Sequence, residues 1–252
     1  MTFSKEDSRI FNHGRVENPR YWSRFGGKPD FKGALVIDLG CGLGSLCIDI
    51  ALSGAGRVVG IDTNPRVIEL ASENLKLHYP QIADTVEFRC QNLRDTPESD
   101  VDYFVSKNAF EHVIGLEQVL AEMKKRLRPN GRLYTGFGPL WNSPFGDHGQ
   151  TRILIPWGHI ILPSRFLVWW RNLFDAPKVA SIDEMGLNAL SLAGYLRIFR
   201  SCGMEIVSLQ VNASRRYISR LFSLIRRVPF LEEYFSHNIY CAMQKRGEAR
   251  GI

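Results

Sequence analysis

Residues 34–45 constrain this chain more than any other stretch. Ala34-Leu35-Val36-Ile37-Asp38-Leu39 is an apolar run too short for a helix, and it leads directly into Gly40-Cys41-Gly42-Leu43-Gly44-Ser45. A run of this kind reads as a parallel strand buried on both faces. The pattern turns helical from Leu46 to Leu52. Strand, glycine turn and helix in immediate succession open a doubly wound α/β sheet.

The alternation continues. A second strand over 57–61 ends at Asp62, and Asn64 and Pro65 supply an N-cap and a first helical residue for a helix over 67–78. Strands are predicted at 86–90 and 101–106. A helix over 116–127 stops at the turn Arg128-Pro129-Asn130-Gly131, and a fifth strand over 132–137 follows. Strands alternating with helices imply a mostly parallel sheet covered on both faces. Upstream, residues 1–33 are polar and aromatic, with Asn18-Pro19 and Gly26-Gly27 as breakers, and predict a short helix and a loop leading in. With 252 residues, 44% of them hydrophobic, the chain suits one large α/β domain with insertions and excludes a disordered or fibrous class. Five scattered cysteines without a C-x-x-C imply reduced thiols in a cytoplasmic setting, with no disulfide framework and no metal site. No apolar leader opens the chain, so no secretory signal is expected, and the net charge of +6 names no partner.

Three glycines at a strand–helix junction let a backbone approach a ligand and present amides at a helix start. A turn of this kind also occurs with no ligand. Asp62, at the end of the next strand, is placed to accept both hydroxyls of a ribose. The spacing is G-x-G-x-G, whereas a dinucleotide fingerprint is G-x-G-x-x-G. Asp38, two residues before the first glycine, would repel a pyrophosphate and attract a cation. S-adenosylmethionine carries a sulfonium and an ammonium beside its adenosine, which suits that carboxylate.

Val36-Ile37-Asp38-Leu39-Gly40-Cys41-Gly42-Leu43-Gly44 resembles the first motif of the class I S-adenosylmethionine-dependent methyltransferases. Further blocks agree in the family's order: Gly60-Ile61-Asp62, residues 86–93, residues 101–113 with Glu111-His112-Val113, and Leu127-Arg128-Pro129-Asn130-Gly131-Arg132-Leu133. The resemblance covers about residues 34–138 and extends more loosely to the C-terminal strands. It implies a Rossmann-like, mostly parallel seven-stranded sheet with an antiparallel last strand and helical cap insertions. It also implies S-adenosyl-L-methionine as cofactor, touched by Asp38, Gly40, Cys41, Gly42, Gly44, Asp62, Thr63, Asn92, Leu93 and Asn108. The family usually has an acid near position 92, and the amide oxygen of Asn92 can accept the same bond from the adenine amine.

The closing elements of such a sheet are a helix over 188–201 and strands over 204–211 and 238–244. The chain therefore divides into a lead-in (1–33), a cofactor-binding core (34–138), a cap insertion (139–187) and a completing segment (188–252) with a second insertion at 212–237. Both insertions are too long for structureless loops in a compact domain. The first leaves the C-terminal edge of strand five, where ligands bind in open α/β sheets. It carries His148, a candidate general base if Asp147 or another acid orients it, with His112 as the alternative. His159 reads as a core or lid histidine. Trp157, Phe166, Trp169, Trp170 and Phe174 suggest a packed helical lid, or an aromatic or lipid-like acceptor pocket with shallow membrane contact. In the second insertion Arg215, Arg216, Arg220, Arg226 and Arg227 interleave with Ile218, Leu221, Phe222 and Ile225 as a basic amphipathic helix. That pattern fits a solvated face, an anionic membrane surface or a phosphorylated acceptor. No nucleic-acid-reading motif is present. The expected activity is methyl transfer to a small-molecule acceptor, at an oxygen. The rival readings are a non-catalytic adenosyl-ligand-binding protein of the same fold and an NAD(P)-dependent oxidoreductase.

Overall fold

The computed structural model describes residues 3–213 and 217–247. Seven strands form one sheet in the order β3-β2-β1-β4-β5-β7-β6. They are β1 (Leu35–Leu39), β2 (Arg57–Asp62), β3 (Val86–Cys90), β4 (Val101–Lys107), β5 (Leu127–Phe137), β6 (Glu205–Val211) and β7 (Ile239–Gln244). β1 to β5 pair in parallel, and β7 runs antiparallel to both β5 and β6. Strand order reverses between β1 and β4, which opens a crevice at their C-terminal ends.

Successive strand residues face opposite sides, so the sheet separates two cores. Val36, Val58, Val105 and Tyr134 pack on one side under α1 (Lys5–Ser23), α2 (Ser45–Ala51) and α3 (Pro65–His78). Ile37, Val59, Phe104 and Leu133 pack on the other under α4 (Leu116–Arg126) and α7 (Leu192–Ser201). Asn64 and Pro65 cap α3 as expected, with the Asn64 side chain accepting from the Arg66 amide.

Three elements differ from the sequence reading. The lead-in is a 19-residue helix that runs through Pro19. Its N-terminus is fixed by a Ser4–Asp7 capping box, and Tyr21 and Trp22, 1% and 2% exposed, follow the proline into the core. Two buried aromatics release roughly 4–6 kcal/mol each before entropy, more than one missing helical hydrogen bond and a kink cost. The turn at 128–131 lies inside β5, with Asn130 at φ 64° and the register shifting between Val101 and Tyr103. The helix expected from residue 188 begins at Leu192, because Ser191 takes the N-cap and bonds the Gly194 amide. Asn188 instead bonds the Phe110 and Val113 carbonyls.

The insertions contain α5 (Gly158–Ile161), α6 (Ser164–Phe174) and α8 (Tyr217–Ile225). Arg215 and Arg216 lie outside the described residues. Among the described residues no helix is long and apolar enough to cross a membrane.

The glycine turn is built by packing as much as by dihedral freedom. Gly40, Gly42 and Gly44 all have positive φ. A Cβ on Gly44 would stand 2.3 Å from the Phe88 ring, and one on Gly40 would stand 2.4 Å from Ala109 Cβ; one on Gly42 would meet nothing within 4 Å. Gly42→Ala should therefore cost only the left-handed backbone penalty, about 1–2 kcal/mol. Gly44→Ala should lose a further 1–3 kcal/mol or so to overpacking. Thermal denaturation of the two variants checks this, and equal melting temperatures would contradict it.

Candidate active site at the ends of β1, β2 and β4

The loop after β1 folds back onto the end of β2. The Gly40 and Cys41 amides donate to the Ile61 carbonyl at 2.8 and 3.1 Å, and the Gly42 amide donates to Asp62 Oδ2 at 3.0 Å. Asp62 Oδ1 accepts from the Asn64 amide at 2.9 Å. Each carboxylate oxygen accepts a bond from the backbone, which fixes the group and leaves lone pairs for a further donor. Thr63 and Asn92 are exposed beside it, whereas Leu93 is buried in the core. Gln91, the neighbour of Asn92, is turned to Thr96.

Asp38 lies beneath the loop and is 1% exposed. Its Oδ2 accepts from the Cys47 thiol at 3.2 Å, and its Oδ1 has no hydrogen-bond partner among the described residues. Burial pushes its carboxyl up to about 7, with the Cys47 bond and the Lys107 charge opposing that shift. An unpartnered carboxylate oxygen sealed under a glycine turn suits a cationic ligand and would penalise an anionic one. This feature fits the ammonium of S-adenosylmethionine.

Lys107 and Asn108 end β4 at the same edge. The Lys107 ammonium donates to the Gly14 carbonyl at 3.1 Å and to Asn18 Oδ1, and Asn18 Nδ2 donates to the Ser45 carbonyl at 2.9 Å. Burial pushes Lys107 down, while Asp38 pulls it up. Asn108 is exposed at φ 56°, and its amide donates to the Gly136 carbonyl. A cleft of about 980 Å³ opens here, with His13, Glu17, Lys107, Asn108, His237 and Tyr240 in its wall. No residue of 139–187 is among its lining. His13, Asn18 and His237 carried no sequence signal, because they reach the site only through the long helix α1 and the start of β7.

The two candidate bases are brought together. The His112 and His148 rings stand 5.2 Å apart, edge to face. His148 Nε2 lies 2.9 Å from the Pro139 carbonyl. Asp147 does not orient it: that carboxylate, 1% exposed, accepts from the Thr151 amide and hydroxyl instead. The acid beside the pair is Glu111. His159, 4% exposed, bonds the Trp141 carbonyl as a core histidine. One stripe of α6 is packed, with Leu167 and Arg171 buried, while Trp169 and Phe174 are 54% and 60% exposed.

The sequence profile of the methyltransferase domain family matches residues 30–136. Among curated proteins, the chain is 32% identical over 166 residues to the tRNA U34 carboxymethyltransferase of Cellvibrio japonicus, covering 60% of this chain and 48% of that protein. It is 26% identical to the ubiquinone biosynthesis O-methyltransferase of Bartonella bacilliformis, covering 69% of this chain and 64% of the other. The chain thus spans less than two thirds of the length of either. Among solved structures, the geranyl diphosphate C-methyltransferase of Streptomyces coelicolor A3(2) superposes with a TM-score of 0.61 at 17% identity, over 96% of this chain and 86% of that one. An S-adenosylmethionine-dependent methyltransferase from Mesorhizobium loti gives 0.59 at 16% identity, over 91% and 97%. Residues 30–136 match the methyltransferase domain family, and the seven-stranded sheet has the fold of these solved methyltransferases.

Proposed function

We propose that this protein transfers a methyl group from S-adenosylmethionine to an oxygen of a small, lipid-like acceptor. One observation carries the reading: the buried Asp38 carboxyl with its unpartnered Oδ1 beneath the glycine turn, one strand from the fixed carboxylate of Asp62. In this reading Asp38 holds the methionine ammonium and Asp62 the ribose hydroxyls. Gly40, Cys41, Gly42 and Gly44 shape the wall between them. Thr63, Asn92 and Leu93 border the adenosine, and Asn108 borders the methyl end. When bound, the cofactor supplies a methyl group already activated on sulfonium. The chain therefore has to exclude water and align the acceptor oxygen with the carbon–sulfur bond.

The acceptor enters the cleft between α1 and the starts of β7, over Lys107 and Asn108. A half-buried lysine there favours an oxygen bearing negative charge. His148 and His112 stand at the same sheet edge, and we assign them to the acceptor side of the site.

The lipid-like character rests on the insertions. Trp157 packs on Phe235 at 5.3 Å and Phe222 packs on Phe235 at 5.2 Å, which joins the two insertions. Outside that contact Leu154 is 87% exposed, Ile161 73% and Phe230 92%, and Arg165, Arg220 and Arg227 are exposed among them. Exposed aromatics and aliphatics interleaved with arginines suit an anionic bilayer surface. Sedimentation with phosphatidylglycerol vesicles should pull down the protein, and neutral phosphatidylcholine vesicles should not. Equal behaviour with both, or a Trp169→Ala/Phe230→Ala variant that binds as well as the parent, would contradict the surface assignment.

The Asp38 assignment has a pH signature. In the free protein Asp38 holds a proton below about pH 7. Its own contribution to stability is thus full at low pH and is lost as pH rises through 7. Binding an ammonium requires the carboxylate, so proton release is linked to binding. Affinity for S-adenosylhomocysteine should be flat above pH 7 and weaken by up to about tenfold per unit below it. Asp38→Asn should bind more weakly and lose that slope. Calorimetry between pH 5.5 and 8.5 checks this, and a wild-type profile without a slope would remove Asp38 from the cofactor site.

A further inference from the structure

The turn after β4 and the loop after β5 place three ligand-bearing side chains together. Glu111 and His112 lie on the 3-10 turn Phe110–His112, and His148 belongs to the first insertion. One ligating atom from each lies within 4.8 Å of the others. Thirty-five residues separate His112 from His148, so no local spacing in the sequence announces the group, and the expectation of no metal rested on spacing alone.

The hydrogen bonds determine what these side chains present. His112 Nδ1 is 2.7 Å from the Gly186 carbonyl, and His148 Nε2 is 2.9 Å from the Pro139 carbonyl. A carbonyl only accepts, so both of these ring nitrogens carry the proton. The opposite nitrogens, Nε2 of His112 and Nδ1 of His148, keep their lone pairs. Orientation of imidazoles by backbone carbonyls in this manner is what metal-binding histidines generally have. Glu111, 4% exposed, takes backbone hydrogen bonds from its own amide and that of Gly138, while its Oε2 is buried without a partner. Two imidazoles, each with one nitrogen uncommitted to a carbonyl, thus lie beside a carboxyl group with one unpartnered oxygen. A cation satisfies all three at once.

We propose that Glu111, His112 and His148 form a binding site for one divalent transition-metal ion of the zinc type. Two imidazoles and one carboxylate suit zinc or cobalt better than magnesium, which prefers an all-oxygen shell. Donor atoms around tetrahedral zinc are about 3.3 Å apart, given bonds of about 2.0 Å. Ion binding would draw the three donors, now within 4.8 Å of one another, closer together. His112 is exposed, so the remaining coordination position faces solvent. Three protein ligands with one open position resemble a catalytic metal site more than a closed structural one. Binding of the ion does not depend on the methyl-transfer reading. If that reading holds, the open position faces the acceptor side of the same sheet edge.

The test uses the full chain, stripped with a chelator and desalted. Cobalt(II) titration followed by visible absorption, with zinc competition, should show one ion per chain displaced by zinc. Zinc should also raise the melting temperature of the wild-type protein. Glu111→Gln, which keeps shape and backbone bonds, and His148→Ala should each weaken cobalt binding at least tenfold and abolish the zinc-dependent rise. His78→Ala, on the far helix α3, should change neither. If His148→Ala does not fold, His112→Ala replaces it. No stoichiometric uptake by the wild type, or undiminished uptake by Glu111→Gln, overturns the site. Stripped protein should still bind S-adenosylhomocysteine; failure there would count against the proposed function and leave the cation site standing.

Discussion

The site is organised around a carboxyl group placed where folding alone does not favour it. Asp38 sits at the end of the innermost part of the sheet, 1% exposed, with one oxygen unpartnered. Its nearest compensations are a cysteine thiol and the ammonium of the half-buried Lys107. That ammonium is itself held by Gly14 and Asn18 of α1, and Asn18 in turn holds the first carbonyl of α2. A chain of polar contacts thus runs from the first helix to the centre of the sheet. Leaving a buried carboxylate oxygen without a donor costs on the order of 1–3 kcal/mol or more. In the proposed reading the ligand's ammonium satisfies it.

The helix α1 has two roles that follow from this. Tyr21 donates its hydroxyl to the Tyr134 carbonyl at 2.9 Å, and the Trp22 indole donates to Asp49 at 2.9 Å, so the helix is bonded to β5 and α2 at once. It crosses the start of α2 so closely that a Cβ on Gly14 would stand 2.5 Å from Ser45 Oγ. The same helix walls the cleft over Lys107 and Asn108. The lead-in therefore walls the cleft proposed for the acceptor and is not merely an approach to the fold.

Most of the sheet was legible in the sequence because buried parallel strands, glycine turns and caps are local signals. Six of the seven strands fall within a residue of where the sequence places them, β5 alone extends back through an expected turn, and Asn64-Pro65 starts its helix as read. The misreadings occur where tertiary packing overrides a local rule. Pro19 reads as a breaker, yet the aromatic pair after it draws the helix through. Asn188 has helical neighbours, yet its side chain is committed to the turn after β4. The residues proposed for the cofactor side were legible for the same local reason, since Asp38 and Asp62 lie at the C-terminal ends of their strands. The acceptor side was not. Asp147 adjoins His148 in sequence but is spent on Thr151, and the acid that does approach the histidine is Glu111, far away in the chain. His13 and His237 reach the cleft from opposite ends of the chain.

The claim on which the rest depends is that the glycine turn with Asp38 and Asp62 holds an adenosyl cation. Isothermal calorimetry with S-adenosylhomocysteine and with NAD tests it most directly. The wild-type protein should bind S-adenosylhomocysteine at least micromolar-tight and NAD not detectably. Asp62→Ala should lose at least about 100-fold in affinity, as two charge-assisted hydrogen bonds of roughly 1.5–3 kcal/mol each disappear. Binding of NAD alone, or an Asp62→Ala variant with unchanged affinity for S-adenosylhomocysteine, would contradict the account.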